Sequence, residues 1–69
     1  MKSITIDTIR FKKLVSVESF KIKKGRFVVG DQLSVANINT KEVRCYEVIA
    51  IIPVDNFIDR IRVKEIKFD

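Results

Sequence analysis

The chain has 69 residues, 46% of them apolar, with 14 Lys/Arg against nine Asp/Glu, a net charge of +5, one cysteine and no histidine. A chain of this size makes one domain, residues 1–69, and buries only about 60% of the surface it exposes when unfolded, so its core is one thin layer. The missing histidine excludes Cys–His nucleophilic catalysis and histidine metal sites, and the lone Cys45 excludes an internal disulfide and argues against zinc; neither a metal nor a cofactor is expected, and no enzyme activity.

Ile and Val dominate the apolar content, and β-branched residues favour strands. Ser3-Ile4-Thr5-Ile6 alternates apolar and polar, which predicts a first strand. Asp7-Thr8 can cap a short helix, and Phe11, Leu14 and Val15 form an apolar stripe at i, i+3 and i+4. Ile9, Val15 and Val17 prefer strands, so residues 8–16 stay open between helix and strand. Phe20-Lys21-Ile22-Lys23 alternates again, with Phe20 and Ile22 on one face and the two lysines on the other. Gly25 permits a turn. Arg26-Phe27-Val28-Val29 reads as an apolar strand, Gly30-Asp31 as a tight turn, and Leu33 and Val35 as part of the next strand.

Asn37-Ile38-Asn39-Thr40-Lys41-Glu42 has the composition of a turn held by side-chain to backbone bonds. The run from Val43 to Val54 predicts the most buried strand, centred on Val48-Ile49-Ala50-Ile51-Ile52 and ended by Pro53, which cannot donate to a ladder. Asp55-Asn56 begins another turn. Arg60-Ile61-Arg62-Val63-Lys64 alternates, whereas Ile66 and Phe68 fall on the opposite parity, which predicts a bulge near Lys64-Glu65. The expected fold is mainly β: a small five- or six-stranded barrel or curled sheet with at most one short helix near residues 8–16.

Charge is uneven along the chain. Residues 1–30 carry eight Lys/Arg against Asp7 and Glu18, and residues 31–69 carry six against seven acidic residues. A concentrated positive field attracts polyanions. No stretch of about 18 apolar residues occurs, and the N-terminus has no apolar segment of signal-peptide type, so a cytoplasmic protein without a membrane partner is expected. Cys45 reads as a small buried apolar residue.

The segments Phe11-Lys12-Lys13-Leu14-Val15, Phe20-Lys21-Ile22-Lys23, Arg26-Phe27-Val28-Val29-Gly30-Asp31-Gln32-Leu33 and Val48-Ile49-Ala50-Ile51 resemble the PUA-like superfamily, and within it the small ASCH-type domains. The resemblance covers about residues 11–52. It implies a five- or six-stranded barrel with a short helix after the first strand, and binding of RNA or modified nucleotides. Some ASCH members hydrolyse modified nucleosides, but their lysine before the strand corresponds here to Glu18, their later threonine or glutamate to Lys21, and their preceding glycine falls near Ser16. The resemblance therefore carries the fold and not the hydrolysis.

Two function classes follow. The first is a non-catalytic nucleic-acid-binding module, RNA favoured, holding phosphates through Lys21, Lys23, Lys24, Arg26, Arg60, Arg62 and Lys64. Lys21 and Lys23 share one strand face, and Arg60, Arg62 and Lys64 share another; adjoining strands would merge them into a basic platform. Stacking on bases requires exposed aromatics. Trp is absent and the phenylalanines mostly fall on apolar parities, which leaves Tyr46 as the stacking candidate against a role in the strand core. The second class is a protein-interaction or inhibitory module, which meets an acidic protein partner through a sheet edge or an apolar patch; homodimerisation would also relieve the small core. Asp55 and Asp59, four residues apart, read as solvated carboxylates near a turn.

Overall fold

A computed structural model of the chain describes residues 2–67. Among these residues five strands and one helix follow in the order β1 (Lys2–Ile6), α1 (Thr8–Lys12), β2 (Val17–Lys23), β3 (Gln32–Asn37), β4 (Val43–Pro53) and β5 (Ile58–Glu65). The strands form one sheet in the order β1-β3-β4-β5-β2, curled into a half-barrel. β1 runs parallel to β3 and every other neighbouring pair is antiparallel. The mainly β fold with a single short helix is what the sequence predicts. No helix among the described residues is long and apolar enough to cross a membrane.

The concave face holds the core. Leu33 and Val35 of β3, Tyr46 and Val48 of β4, and Ile61 and Val63 of β5 are fully buried, and Phe20 of β2 joins them. Each such side chain contributes about 1.5–3 kcal/mol by leaving water. Phe11, Leu14 and Phe27 cover the core from outside the sheet.

The helix is a single turn and a half. Asp7 caps it, its carboxylate accepting from the Arg10 N–H at 2.8 Å. Five residues are too few to be stable alone, so burial of Phe11 and Leu14 holds them in place. Of the predicted stripe, Val15 is exposed. Its N–H donates to the Glu18 carboxylate at 2.9 Å, which turns the chain out of the helix and into β2. Thus residues 8–12 are helical, Val15 lies in the connection that follows, and the β-branched preference of Val17 is met at the start of β2.

Residues 26–29 are not a strand, contrary to their apolar pattern. They lie in the connection between β2 and β3, where Phe27 folds inward as a plug while Val28 and Val29 stay exposed. Asp31 braces this loop: its carboxylate accepts from the Val28 N–H at 3.0 Å and pairs with Lys2 Nζ at 2.8 Å. Lys2 Nζ also donates to the Arg26 carbonyl and lies 5.0 Å from the centre of the Phe27 ring. A run of three apolar residues, Phe27 to Val29, could not separate a buried strand from a loop with one inward anchor.

Two further expectations are corrected. The run centred on Val48 to Ile52 is not the most buried strand: Ile49 and Ile52 are exposed, and Ala50 and Ile51 only half-buried. β3 ends its pairing with β4 at Gln32 opposite Glu47, so the distal half of β4 has β5 on one side and no strand on the other. The bulge falls on β4, at Ile49 between Val48 and Ala50, and not near Lys64-Glu65. β5 keeps its alternation to Glu65 and then ends, with the Ile66 N–H donating to the Cys45 carbonyl at 2.9 Å. Phe68, which contributed to that expectation, lies outside the described residues. Cys45 itself is half-buried.

The turn after β3 is tied by Asn37, which is 1% exposed. Its side-chain oxygen accepts from the Asn39 and Thr40 N–H groups and from the Thr8 hydroxyl, at 2.9, 3.3 and 3.2 Å. One buried amide thereby joins the β3–β4 turn to the start of α1. Its hydrogen-bonding capacity is used, as burial requires.

Gly30 has φ = 94°, and its N–H donates to the Val48 carbonyl at 2.8 Å. A Cβ placed there would meet nothing within 4 Å, so any cost of substitution comes from the backbone. Gly30→Val is expected to lower stability by about 1–3 kcal/mol, measured by urea denaturation; an unchanged midpoint would show that the turn does not need the left-handed conformation.

Candidate nucleic-acid interface

β2 and β5 are neighbours, and their register sets the outer face. Lys21 lies opposite Arg60, Ser19 opposite Arg62, Val17 opposite Lys64 and Lys23 opposite Ile58. Directly opposed residues on paired strands point to the same side. Phe20, Ile61 and Val63 occupy the inner side, so Lys21, Lys23, Arg60, Arg62 and Lys64 all stand on the outer one, and all five are exposed. Among the described residues none of the five is in an ion pair. Across β5 on β4, Ile52 lies opposite Arg60, Ala50 opposite Arg62 and Glu47 opposite Lys64. Glu47 offsets the charge at the Lys64 end, so the positive field is strongest between Lys23 and Arg62.

Two residues of the predicted set stand apart. Lys24 follows the end of β2, and its Nζ pairs with Asp59 at 2.6 Å. Arg26 reaches back to β1, donating from Nη2 to the Ser3 carbonyl at 2.8 Å, and its guanidinium lies 5.5 Å from the centre of the Phe27 ring. Both serve the fold in this arrangement. Sequence spacing cannot reveal such pairing, because Lys24–Asp59 and Arg26–Ser3 join residues 35 and 23 positions apart.

Tyr46 is not a stacking residue. It is 0% exposed, and its hydroxyl donates to the Val15 carbonyl at 2.9 Å. Burial pushes its pKa up, with Glu65 and Glu18 adding to the rise against Arg44. Among the described residues, the aromatic that does reach solvent is Phe57, 78% exposed in the β4–β5 turn. Asp55 holds this turn: its carboxylate accepts from the Phe57 and Ile58 N–H groups at 2.7 and 2.8 Å. The Phe57 carbonyl accepts from the Lys24 N–H at 2.9 Å, which places it beside the end of β2. Sequence reasoning missed Phe57 because its parity matches the inward residues of β5. The available signal was its place directly after Asp55-Asn56, inside a turn where strand parity no longer applies.

Asp59 is buried rather than solvated, 7% exposed on the inner side of β5. Its carboxylate accepts from Lys24 Nζ and the Gly25 N–H. Hydrogen bonding to Lys24, more than to Gly25, holds its pKa below the ordinary aspartate value against the opposing effect of burial. Asp31 is lowered likewise, first by Lys2 and then by the Val28 N–H. Asp55 and Asp59 therefore brace a turn and a loop, and neither reaches a shared reaction centre.

Among the described residues, two clefts flank the sheet. One, of about 510 Å³, opens between β1 and β2 over Ile4, Ile6 and Phe20, with Arg10, Lys21 and Arg60 at its rim. The other, of about 590 Å³, lies at the opposite end by Phe11, Asn37, Thr40 and Arg44. There Asn37 is committed to the turn and Arg44 pairs with Glu65 at 2.8 Å. No group of three or more His, Cys, Asp or Glu among the described residues could hold a metal ion. Comparison with known proteins finds no matching family model, no matching curated protein and no matching solved structure.

The lowered carboxyls fix the acid response. A group whose folded pKa is depressed stabilises the fold above its unfolded pKa and loses that contribution as pH falls through the folded value. The melting temperature is therefore expected to be level near neutrality and to drop below about pH 4, and Asp59→Asn should flatten part of that drop. A drop of unchanged size in the variant would remove Asp59 from the account.

Proposed function

We propose that the chain is a non-catalytic nucleic-acid-binding module that holds the phosphate backbone of RNA on the outer face of β2 and β5. The observation that carries this reading is the register that sets Lys21 beside Arg60 and continues the row with Lys23, Arg62 and Lys64, all exposed and without ion pairs among the described residues. Residues two apart on a strand are about 6.6 Å apart, close to the phosphate spacing of an extended single strand. Lysine and arginine on such a row release counterions from phosphates, which supplies affinity without reading sequence.

Phe57 supports RNA over a purely electrostatic surface. An exposed ring held by a braced turn offers a stacking platform for an unpaired base, and such stacking contributes about 1–3 kcal/mol. The resemblance to the PUA-like superfamily points the same way. Glu47 is the acidic residue that the register sets opposite this row, across from Lys64.

Binding to a fluorescent single-stranded RNA oligomer should weaken linearly in log salt, with a slope that reports the phosphates neutralised. Lys21→Glu with Arg60→Glu should abolish binding while leaving the melting temperature near that of the parent, since both side chains are solvated. Phe57→Ala should weaken binding to the single strand by about tenfold, a loss of ~1.4 kcal/mol. Unaltered binding by the double variant would overturn the assignment of this face.

A further inference from the structure

The sheet is open, and its two edges face each other across the cleft over Ile4, Ile6 and Phe20. Following the pairings from β1 through β3, β4 and β5 to β2, the two edge strands run in opposite directions. The ladder contacts identify which backbone groups point outward. The Ile6 carbonyl accepts from Ile38 on the β3 side, so alternation turns the N–H and C=O groups of Ser3 and Thr5 toward the opening. The Lys24 N–H and the Ser16 carbonyl bond to the β5 side, so those of Ser19 and Lys21 also face the opening.

Two of these outward carbonyls are met by side chains in place of a strand. Arg26 donates to the Ser3 carbonyl at 2.8 Å, and Arg10 donates to the Ser19 carbonyl at 3.3 Å. Arg10 also lies 4.9 Å from the centre of the Phe20 ring, over the apolar floor. The cleft rim thus carries Arg10, Lys21 and Arg60 and no carboxylate. An exposed strand edge is a template for pairing with another chain, and here the template has an apolar floor and a positive rim.

We propose that this opening receives an extended acidic polypeptide segment, which pairs with β1 or β2 as a sixth strand. Side chains of an extended segment alternate between faces. One set would cover Ile4, Ile6 and Phe20. The other would present carboxylates to Lys21 and Arg60, and Arg10 would exchange the Ser19 carbonyl for a carboxylate of the incoming segment. Main-chain bonds give the affinity in this mode of recognition and the alternating side chains give the selectivity. The inference shares Lys21 and Arg60 with the proposed RNA-binding face but differs from it in resting on Arg10, Phe20 and the open strand edges, and Lys23, Arg62 and Lys64 do not line the cleft.

The test uses an acetylated and amidated peptide of about eight alternating Glu and Val residues, measured by calorimetry against the full chain. A second peptide is N-methylated at alternate residues, which removes the donors of one edge and blocks strand pairing. Thr5→Pro removes an outward N–H of β1 that makes no bond to β3, and Arg10→Ala removes a rim charge. The expected result is saturable binding of the plain peptide, weakened at least about tenfold by N-methylation and by Arg10→Ala, and left unchanged by Lys64→Ala. Loss with Thr5→Pro assigns the pairing to β1, and retention assigns it to β2; circular dichroism checks that the variant is folded. No binding, or equal binding of the plain and N-methylated peptides, overturns the proposal. So does competition of the peptide by an RNA oligomer whose own binding is lost with Arg10→Ala, because RNA would then be the occupant of the cleft.

Discussion

Strand β5 carries the constraint on which the rest of the molecule depends. It lies between β4 and β2 and alternates without a break, with Ile61 and Val63 inward and Arg60, Arg62 and Lys64 outward. A slip of one residue against either neighbour would move the whole set to the other face. Ile61 and Val63 would then stand in water and three cations would be driven into the core, where an unpaired charge is very costly. The same register that seals the core therefore builds the outer row of cations. The candidate site is a consequence of folding on one strand, and it needs no separate device to align it.

The thinness of the core explains the remaining architecture. Five strands curl but do not close, so the concave side needs covers from outside the sheet. Phe11 and Leu14 from the segment after β1 cover one side, and Phe27 from the β2–β3 loop covers another. Each cover is fastened by polar contacts at its base: Asp7 and Glu18 around α1, and Lys2 and Asp31 around Phe27. Arg10 and Arg26 then occupy carbonyls on the two open edges. Arginine on an edge blocks indiscriminate strand pairing while remaining displaceable, which distinguishes these edges from closed ones.

Where side-chain period alone decides, the sequence was legible. Phe20 to Lys23 and Arg60 to Lys64 have the inward and outward faces that their alternation demands, and Pro53 ends β4. The Asn37 turn was legible from its chemistry. What was not legible depends on contacts distant in sequence. Beyond Val48, the run to Ile52 is only half-buried or exposed because β3 is too short to cover it, and nothing local reports the length of a neighbour. Phe27 is a plug for the same reason, whereas a strand-core role for Tyr46 was one of the two readings its sequence context offered. Lys24 and Arg26 look like their basic neighbours in sequence, yet Asp59 on the adjacent strand and the Ser3 carbonyl of β1 engage them. Phe57 was hidden because strand parity was extended one residue past the strand.

The central claim is that the outer face of β2 and β5, ending at Phe57, is where nucleic acid binds. Amide NMR of the uniformly labelled chain, titrated with a short single-stranded RNA, tests it most directly. The account predicts shifts that follow Lys21, Lys23, Phe57, Arg60 and Arg62 and leave the Thr8, Asn37 and Thr40 end unmoved. Shifts centred on that opposite end, or a spectrum that does not change at low salt, would contradict it.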